Sequence, residues 1–364
     1  MSSALTRKLL NWFNTGKRDL PWRHHHTPYS VWISEIMLQQ TVVNAVIPYF
    51  EKWMKKFPTV ESLAVTSERE VMICWEGLGY YSRARNIHKA ARRIVEKFNG
   101  KIPDDYESLL SLPGIGDYTA SAILSIAYER PYAVVDANVR RVVSRLLALT
   151  RPGQQIEKNV REFLNSHISK KYPGDFNEAL MELGQTICNS SNPRCEVCPL
   201  SNHCIAFAGR IQNSIPPRKS LSTIKLESVV LLILQGNRIL ASQQKEGLFA
   251  GLWVLPKVKA GIRQESGIAA FIRDRTGSSS TSFSPLSPRV HHYTKYAEKL
   301  NPRLYEVTSL KPTKKTVSPW RWLSVSNLQN YPFSSTDRKI IHELKSLHST
   351  IALKSTRKRS KISV

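Results

Sequence analysis

Leu112-Pro113-Gly114-Ile115-Gly116 separates two stretches whose apolar residues recur with the spacing of α-helices. Gly114 and Gly116 have no Cβ, so each can adopt the positive φ that a tight hairpin requires. The helix that begins at Asp117 then offers free backbone N–H groups and the positive end of its dipole, which together suit a phosphate group. A plain turn between helices would carry the same pattern, so the rest of the chain must decide between these interpretations.

Residues 1–210, which surround this hairpin, are predicted to be nearly all helical. Ser67-Glu68-Arg69-Glu70 is a capping box for a short helix that ends near Trp75. A long amphipathic helix over 83–98 is ended by Asn99-Gly100. No convincing alternation of polar and apolar residues occurs before about residue 225, so we expect no strands in this part.

The second part of the chain has a different pattern. Pro216-Pro217 lies among polar residues and indicates a linker. Beyond it, 228–234 is a run of apolar residues typical of a buried strand, and Gly236-Asn237 turns it into a second strand at 239–242. Further short strands are predicted at 303–308 and 320–325. The second part is therefore predicted to be α+β.

The charge of the chain is strongly positive. Lys and Arg number 53 against 28 Asp and Glu, a formal charge of +25. This excess favours a polyanionic partner, either nucleic acid or an anionic membrane surface, and nucleic acid is the leading expectation. The sequence contains no run of 18 apolar residues and no signal-peptide pattern, so we expect no membrane span and a cytoplasmic location.

Four of the five cysteines are clustered with the spacing Cys188-x6-Cys195-x2-Cys198-x5-Cys204. Four thiolates can hold a cubane iron–sulfur cluster or a tetrahedral zinc ion. Zinc ribbons usually contain two short C-x2-C units, whereas this chain has one, so the spacing favours the iron–sulfur cluster and leaves zinc as the alternative. Cys74 lies far away in an apolar helix and is predicted to be a core residue.

Two carboxylates have settings that suggest chemistry. Glu35 lies in the otherwise apolar run Val31–Leu38, and a buried Glu has a raised pKa and can act as a general acid. A solvent-facing stripe of the same helix is an equally good interpretation. Asp136 precedes a helix over 139–149 and is a favoured N-cap residue. An ionised carboxylate at such a position is also what a glycosidic cleavage needs to stabilise a cationic sugar.

Several motifs together resemble a known family. The motifs are Leu20-Pro21-Trp22-Arg23, the run from Trp32 to Thr41, Gly77-Leu78-Gly79-Tyr80-Tyr81, the glycine hairpin and the four cysteines. With them the chain resembles the adenine DNA glycosylases of the helix–hairpin–helix superfamily, which also includes endonuclease III. The resemblance extends from about Leu20 to Ala208 and continues more weakly over 225–345.

The resemblance implies roles for individual residues. Glu35 would protonate adenine N7 and Asp136 would stabilise the oxocarbenium-like transition state, with Tyr118 and Asn138 lining that site. Gly114 and Gly116 would bind a DNA phosphate, and Cys188, Cys195, Cys198 and Cys204 would hold a [4Fe–4S] cluster. The residues implied to contact the substrate are Trp22, Arg23, Leu38, Gln40, Thr41, Leu78, Tyr80 and Glu182.

The resemblance also implies a fold and its domains. The N-terminal part is expected to be mainly α, with a six-helix barrel over 28–130 that contains the hairpin. An iron–sulfur helical domain is expected over 1–27 and 131–210. A linker over 211–224 would lead to an α+β, Nudix-like lesion-recognition domain over 225–349, whose clearest motif is Gly251–Pro256. Residues 350–364 are predicted to be a basic disordered tail.

The expected function is hydrolysis of the N-glycosidic bond of adenine mispaired with 8-oxoguanine or guanine in double-stranded DNA, by a monomer. Adenine inside a duplex must first be flipped out of the stack. The bifunctional endonuclease III branch has a nucleophilic Lys where this chain has Tyr118, so a monofunctional enzyme is expected. The alternatives are a pyrimidine or thymine-mismatch glycosylase and a non-catalytic iron–sulfur DNA-binding protein.

Three features depart from the family pattern. Ala137 replaces the Gly of Asp-Gly-Asn and would resist a positive φ. The lesion-reading segment aligns poorly, and its nearest counterpart is His291–Tyr296. The glutamate-rich Nudix signature is absent, since Gly261–Gly277 contains only Glu265 and Asp274 as acidic residues. Metal-dependent nucleotide hydrolysis by the second domain is therefore not expected.

Overall fold

The computed structural model describes residues 4–151, 153–217, 223–261, 264–278, 282–293, 295–307 and 320–346. The chain forms two compact units. The first comprises Met1–Thr66 and Arg85–Ser220, and the second comprises Ser67–Ala84 and Leu221–Val364. The basic tail predicted for 350–364 lies outside the described residues. The domain boundaries drawn from the sequence stay predictions.

The described residues before position 218 contain no β-strand, as the sequence predicts. The helices of the chain are α1 (Ala4–Gly16), α2 (Pro28–Leu38), α3 (Val43–Lys56), α4 (Val60–Val65), α5 (Glu68–Trp75), α6 (Ser82–Phe98), α7 (Tyr106–Leu110), α8 (Asp117–Ala122), α9 (Ala137–Leu146), α10 (Gln154–His167), α11 (Pro173–Thr186), α12 (Ile205–Ala208) and α13 (Gln264–Thr276). A last helix, α14, spans 335–346. No helix among the described residues is long and apolar enough to cross a membrane.

The core of the first unit brings the start of the chain against helices far along the sequence. α1, α9, α10 and α11 bury their apolar faces together, which removes apolar surface from water and stabilises the fold. The Thr6 hydroxyl donates to the carbonyl of His167 over 2.8 Å and so fixes α1 to the end of α10. Fully buried side chains of this core include Leu9, Phe13, Val143, Val160, Leu164, Phe176, Leu180 and Leu183.

A π-helical turn, Ile123–Ala127, continues α8 and packs closely on α11. A Cβ at Gly174 would lie 2.9 Å from the Ile126 Cα, so only glycine allows this approach. The buried Asn177 side chain donates to the Ser125 hydroxyl and the Tyr132 carbonyl, both at 2.8 Å. These bonds connect α11 to the segment that precedes Asp136.

The hairpin before α8 has one left-handed glycine. Gly114 has a φ of +80°, and a Cβ there would lie 2.7 Å from the Asn86 Cβ, so both conformation and space require glycine. Gly116 has a φ of −108° and is the extended N-cap residue of α8. The prediction of a positive φ at Gly116 was wrong, because one left-handed residue already reverses the chain.

The described residues of the second unit form an eight-stranded mixed sheet. Its strands are β1 (Ile224–Gln235), β2 (Arg238–Gln243), β3 (Trp253–Val254), β4 (Lys257–Lys259), β5 (Ser284–Pro285), β6 (Arg289–Tyr293), β7 (Tyr296–Glu306) and β8 (Trp320–Ser324). The order β3-β2-β1-β7-β5 forms the main path, while β4 pairs with β1, β6 with β7 and β8 with β2. β1 and β7 are parallel and the other pairs are antiparallel.

Strand β1 is buried on both faces because a helix covers each of them. Side chains alternate along a strand, so Val230, Leu232 and Leu234 face one side and pack with α14. Val229, Leu231 and Ile233 face the other side and pack with α13. This explains the continuous apolar run by which the sequence predicted the strand. The predicted turn at Gly236-Asn237 is confirmed by the pairing of Gln235 with Arg238.

Candidate active site

Glu35 lies in the middle of α2, where every residue from Tyr29 to Met37 is buried. Pro28 occupies the first turn, and the Thr27 side chain accepts a hydrogen bond from the Ser30 N–H, which defines the start of the helix. The Glu35 side chain is therefore enclosed, with a residue exposure of 5%. The sequence left burial and exposure equally open, and the structure shows burial.

Burial raises the pKa of Glu35 to about 7. A hydrogen bond from Tyr118 and the charge of Arg23 lower this pKa, whereas the negative charges of Glu178 and Asp136 raise it further. Glu35 therefore holds its proton near neutral pH, which is the condition for a general acid.

Tyr118 contacts Glu35 directly. It lies in the first turn of α8, two residues beyond Gly116, and its hydroxyl donates to Oε2 of Glu35. The pKa of Tyr118 is raised well above its ordinary value by burial and by the neighbouring Glu35, so the phenol stays protonated as a donor. A side-chain bond of 3.3 Å from Gln39 to Thr119 also joins α2 to α8.

Asp136 is the N-cap residue of α9, as the sequence predicts. Its Oδ1 accepts a 2.6 Å bond from the Val139 N–H, and its Oδ2 accepts a 2.8 Å bond from the Asn138 side chain. Both carboxyl oxygens of Asp136 therefore accept hydrogen bonds at the N-terminus of α9. Ala137 is the first residue of α9 and is not left-handed, so the expected resistance of alanine to a positive φ does not arise.

Asn138 is in turn connected to the cysteine segment. The Arg141 guanidinium donates to Asn138 Oδ1 over 2.9 Å and to the Cys188 carbonyl over 2.8 Å. It also donates to the carbonyl of Gly184, at 2.8 Å. One side chain therefore connects the first cysteine, α11 and the partner of Asp136.

Two glutamates of α11 form an ion-pair cluster with two arginines. Glu182 accepts hydrogen bonds of 2.6 and 2.8 Å from Arg18 and one of 3.1 Å from Arg23. Glu178 accepts a hydrogen bond of 2.8 Å from Arg23. Both glutamates are at least 95% buried. Oε2 of Glu178 accepts no hydrogen bond and lies 3.5 Å from His26 Nε2.

Sequence reasoning named Arg23 and Glu182 but missed Arg18, His26 and Glu178. A signal for Glu178 was present, because residues four positions apart lie on one face of a helix and Glu178 precedes Glu182 by four. Arg18 and His26 flank the motif Leu20–Arg23 and carry no periodic pattern of their own.

The other predicted substrate residues lie at different places. Leu38 is the last residue of α2, about one helical turn beyond Glu35. The turn that follows contains Thr41 and the exposed, left-handed Gln40, with a φ of 56°. Trp22 is 6% exposed and packs edge-to-face on Phe50, so its ring is part of the core of the first unit. Leu78 and Tyr80 belong to the second unit.

The four clustered cysteines border one cavity in the first unit. Buried Arg145 donates to Cys188 Sγ over 3.3 Å and to the carbonyl of Asn189 over 2.7 Å. Among the described residues, no three His, Cys, Asp or Glu side chains converge as closely as a single metal ion requires. The four thiols around this cavity are a donor set that is chemically suited to iron or zinc.

The segment predicted to read the lesion forms part of the sheet of the second unit. His291 and Tyr293 lie on β6 and contact Phe249, with ring centroids 6.1 Å apart in both pairs. Burial lowers the pKa of His291, so its ring is neutral near neutral pH. Lys295 lies over the Tyr296 ring at 5.7 Å. Thr294 lies outside the described residues.

Comparison with protein families supports two functional regions. Residues 33–166 match the HhH-GPD superfamily of base excision DNA repair proteins, and residues 229–343 match the NUDIX domain. The first match contains Glu35, Tyr118 and Asp136.

Curated relatives and solved structures extend this result. The chain is 32% identical over 342 residues to an adenine DNA glycosylase of Buchnera aphidicola subsp. Acyrthosiphon pisum, which covers 93% of this chain and 96% of the relative. It is 41% identical over 231 residues to the adenine DNA glycosylase of Homo sapiens, covering 60% of this chain and 42% of the relative. A thermostable thymine-DNA glycosylase matches 56% of this chain and 95% of that one, with 30% identity and a TM-score of 0.51. An endonuclease III in a DNA complex matches 57% and 95%, with 25% identity and a TM-score of 0.50.

Proposed function

Because the chain belongs to the adenine DNA glycosylase family of base excision repair enzymes, we propose that it removes adenine paired with 8-oxoguanine or guanine, by proton donation from Glu35 and charge stabilisation by Asp136. The observation that carries this proposal is the buried Glu35, whose raised pKa keeps its proton available, together with Asp136, whose charge acts on Glu35. Asp136 accepts hydrogen bonds from the Val139 N–H and the Asn138 side chain at the start of α9.

The two acids divide the reaction between them. Glu35 transfers its proton to N7 of the flipped adenine, so the C1′–N9 bond can break with its electron pair retained by a neutral base. Positive charge then develops on the sugar, and the Asp136 carboxylate stabilises it. Water adds to C1′ and loses a proton, leaving free adenine and an abasic site.

Tyr118 and Asn138 position the acids. The Tyr118 hydroxyl engages Oε2 of Glu35, so the transferable proton is assigned to Oε1. Asn138 orients Asp136 through Oδ2. Tyr118 cannot act as the amine nucleophile of a bifunctional lyase, which supports base removal without strand cleavage.

The arginine and glutamate cluster supports a pocket for a flipped purine. Oε2 of Glu178 is buried, lies 3.5 Å from His26 Nε2 and can accept a hydrogen bond from an amino group. The hairpin at Gly114 and the charge of +25 support sequence-independent binding to the DNA backbone. Gln40, Thr41, Leu78 and Tyr80 are proposed to enter the base stack around the lesion.

For the cysteines we propose a [4Fe–4S] cluster held by Cys188, Cys195, Cys198 and Cys204. When bound, the cluster would cross-link the segment from Cys188 to Cys204. Arg145 and Arg141 would then hold this segment against α9, next to Asp136.

A single-turnover assay tests the proposed function. The full-length protein is mixed in excess with duplexes that carry adenine opposite 8-oxoguanine, guanine or thymine, and with a duplex that carries a thymine–guanine mismatch. We expect adenine release opposite 8-oxoguanine and guanine, with strand cleavage only after alkali. Release of thymine alone would favour a thymine-mismatch glycosylase, and inertness on every duplex would refute glycosylase activity.

A further inference from the structure

The loop Gly77–Tyr81 of the second unit has an unusual backbone. Gly77, Gly79 and Tyr80 are all left-handed, with φ of 108°, 72° and 47°. A left-handed conformation is unfavourable for a bulky residue such as Tyr80, so surrounding contacts must hold it. The same loop carries Leu78, which is buried, and Tyr80, which is 37% exposed.

Some of the contacts that hold the loop come from residues 75–83 themselves. Arg83 donates from Nη2 to the carbonyls of Leu78 and Gly79, both at 3.2 Å. Its guanidinium lies over the rings of Trp75 and Tyr80, at 5.1 and 5.5 Å. Trp75 Nε1 donates to the Gly79 carbonyl over 3.0 Å. These contacts shape the loop but do not connect it to another part of the chain.

A second set of contacts connects the loop to the C-terminal end of the unit. Arg338 of α14 donates from Nε to Oε1 of Glu76 and from Nη2 to Oε2 over 2.7 Å. Two backbone carbonyls orient the same guanidinium, those of Leu328 at 3.0 Å and Tyr331 at 2.6 Å. Paired donation from a fixed guanidinium to a carboxylate is among the stronger side-chain interactions in proteins.

Contacts with residues 328–338 hold both ends of the loop. Glu76 is the C-cap residue of α5 and immediately precedes Gly77. At the other end, the Tyr81 hydroxyl donates to the Phe333 carbonyl over 3.3 Å. The Phe333 N–H returns a 3.4 Å bond to Glu76, and Arg338 lies over the Phe333 ring at 5.2 Å. The C-terminal contacts therefore fix the points at which the loop begins and ends.

We propose that Glu76 and Arg338 are positioning residues that hold the loop Gly77–Tyr81 in its DNA-inserting shape from the C-terminal end of the chain. The inference rests on the proposed entry of Tyr80, the exposed side chain of this loop, into the base stack. Under it, α14 contributes to lesion binding through the contacts of Arg338 with Glu76 and Phe333.

Arg338→Met in the full-length protein tests the inference, with Arg289→Met as the matched control. Arg289 pairs with Glu343 of α14 at 2.7 Å but has no role in the contacts at Glu76. Hydrogen exchange of residues 76–81 is measured without DNA, and affinity is measured with a duplex carrying an abasic-site analogue opposite 8-oxoguanine. We expect faster exchange and about tenfold weaker binding in Arg338→Met only, the effect of one lost charged hydrogen-bonding pair.

Arg338→Lys guards against loss of folding. Lysine keeps the charge but cannot donate to both Glu76 oxygens and two carbonyls, so we expect an intermediate increase in exchange at a nearly unchanged Tm. Unchanged exchange at 76–81 in both Arg338 variants, or equal effects in Arg289→Met, would overturn the inference. The exchange experiment uses no substrate, so an unmodified protein that excises no adenine refutes the proposed function separately.

Discussion

Glu35 illustrates how one buried side chain acquires a chemical role. An isolated Glu in water is ionised at neutral pH, whereas burial within the protein around α2 disfavours the charged form. Tyr118 and Arg23 counteract this penalty in part, so the proton remains available near pH 7. The setting therefore suits proton transfer at neutral pH, where a pKa close to the working pH is most effective.

The pH dependence of base release follows from this pKa. Glu35 must be protonated to act, so single-turnover release is expected to fall as pH rises through about 7. Glu35→Gln should lose activity by at least roughly 100-fold while retaining affinity for mispaired duplex. Glu96→Gln, an exposed residue of α6, is the control and should behave as the unmodified protein. A rate that increases steadily above pH 7 would contradict the role of Glu35 as acid.

The raised pKa of Glu35 also makes the stability of the folded protein depend on pH. The folded value of about 7 exceeds the ordinary value of 4.5, so the folded state retains the proton longer than the unfolded chain. The associated stability is present below pH 4.5 and is lost as pH rises through 7. Glu35→Gln should therefore raise Tm relative to the unmodified protein at pH 8 more than at pH 5.

At the scale of elements, the site depends on the close approach of α9 and α11. Gly184 of α11 faces the start of α9, and a Cβ there would lie 2.6 Å from the Asn138 Cβ. The Gly184 carbonyl also accepts from Arg141, which holds Asn138. Absence of a side chain at Gly184 is therefore what lets Asn138 reach Asp136.

Gly184→Ala should displace Asn138 and slow base release. Overpacking of this kind costs about 1–3 kcal/mol of stability, and a small displacement of a positioning group can reduce a rate by about 100-fold. Gly16→Ala is the matched control, because a Cβ at the end of α1 meets no atom within 4 Å. The single-turnover rates of the two variants are compared at saturating enzyme. Equal rates for the two variants would show that α9 tolerates the extra methyl group.

At the scale of the whole molecule, the distribution of charge and the position of the cysteine segment both bear on function. The charge is +16 over 225–364 and +9 over 1–224, so both parts can contribute to DNA binding. The cysteine segment reaches the active site through Cys188, Arg141 and Asn138. Loss of metal is therefore expected to affect catalysis as well as folding.

Metal analysis of the purified protein tests this expectation. Iron and sulfide are expected in equal amounts, without zinc. Cys198→Ser should reduce the iron content and lower the rate of base release, because the Cys188 carbonyl no longer fixes Arg141. Cys74→Ser, at a buried cysteine outside the cluster, is the control for general loss of packing. Full zinc occupancy, or an iron-free variant with unchanged activity, would contradict the proposal.

The helical first part, the α+β second part, the capping of α5 and α9 and the candidate acids can all be predicted from the sequence. These features are local: caps, glycines and the periodicity of apolar residues depend on neighbours within a few positions. The motifs around Glu35, the hairpin and the cysteines also indicate the family from the sequence alone. Ala137, where the family has glycine, is an ordinary first helical residue and needs no positive φ.

Which side chains meet could not be predicted from the sequence. Tyr118 donates to the buried Glu35 from a helix far away in sequence, and Arg338 pairs with Glu76 in the same way. Arg18, His26 and Glu178 join the site through similar long-range contacts. Gly116 was predicted wrongly because its φ depends on how the neighbouring hairpin residue closes the turn. Burial and long-range pairing arise from the packing of whole helices. The sequence pattern of one helix does not tell how far it lies from another.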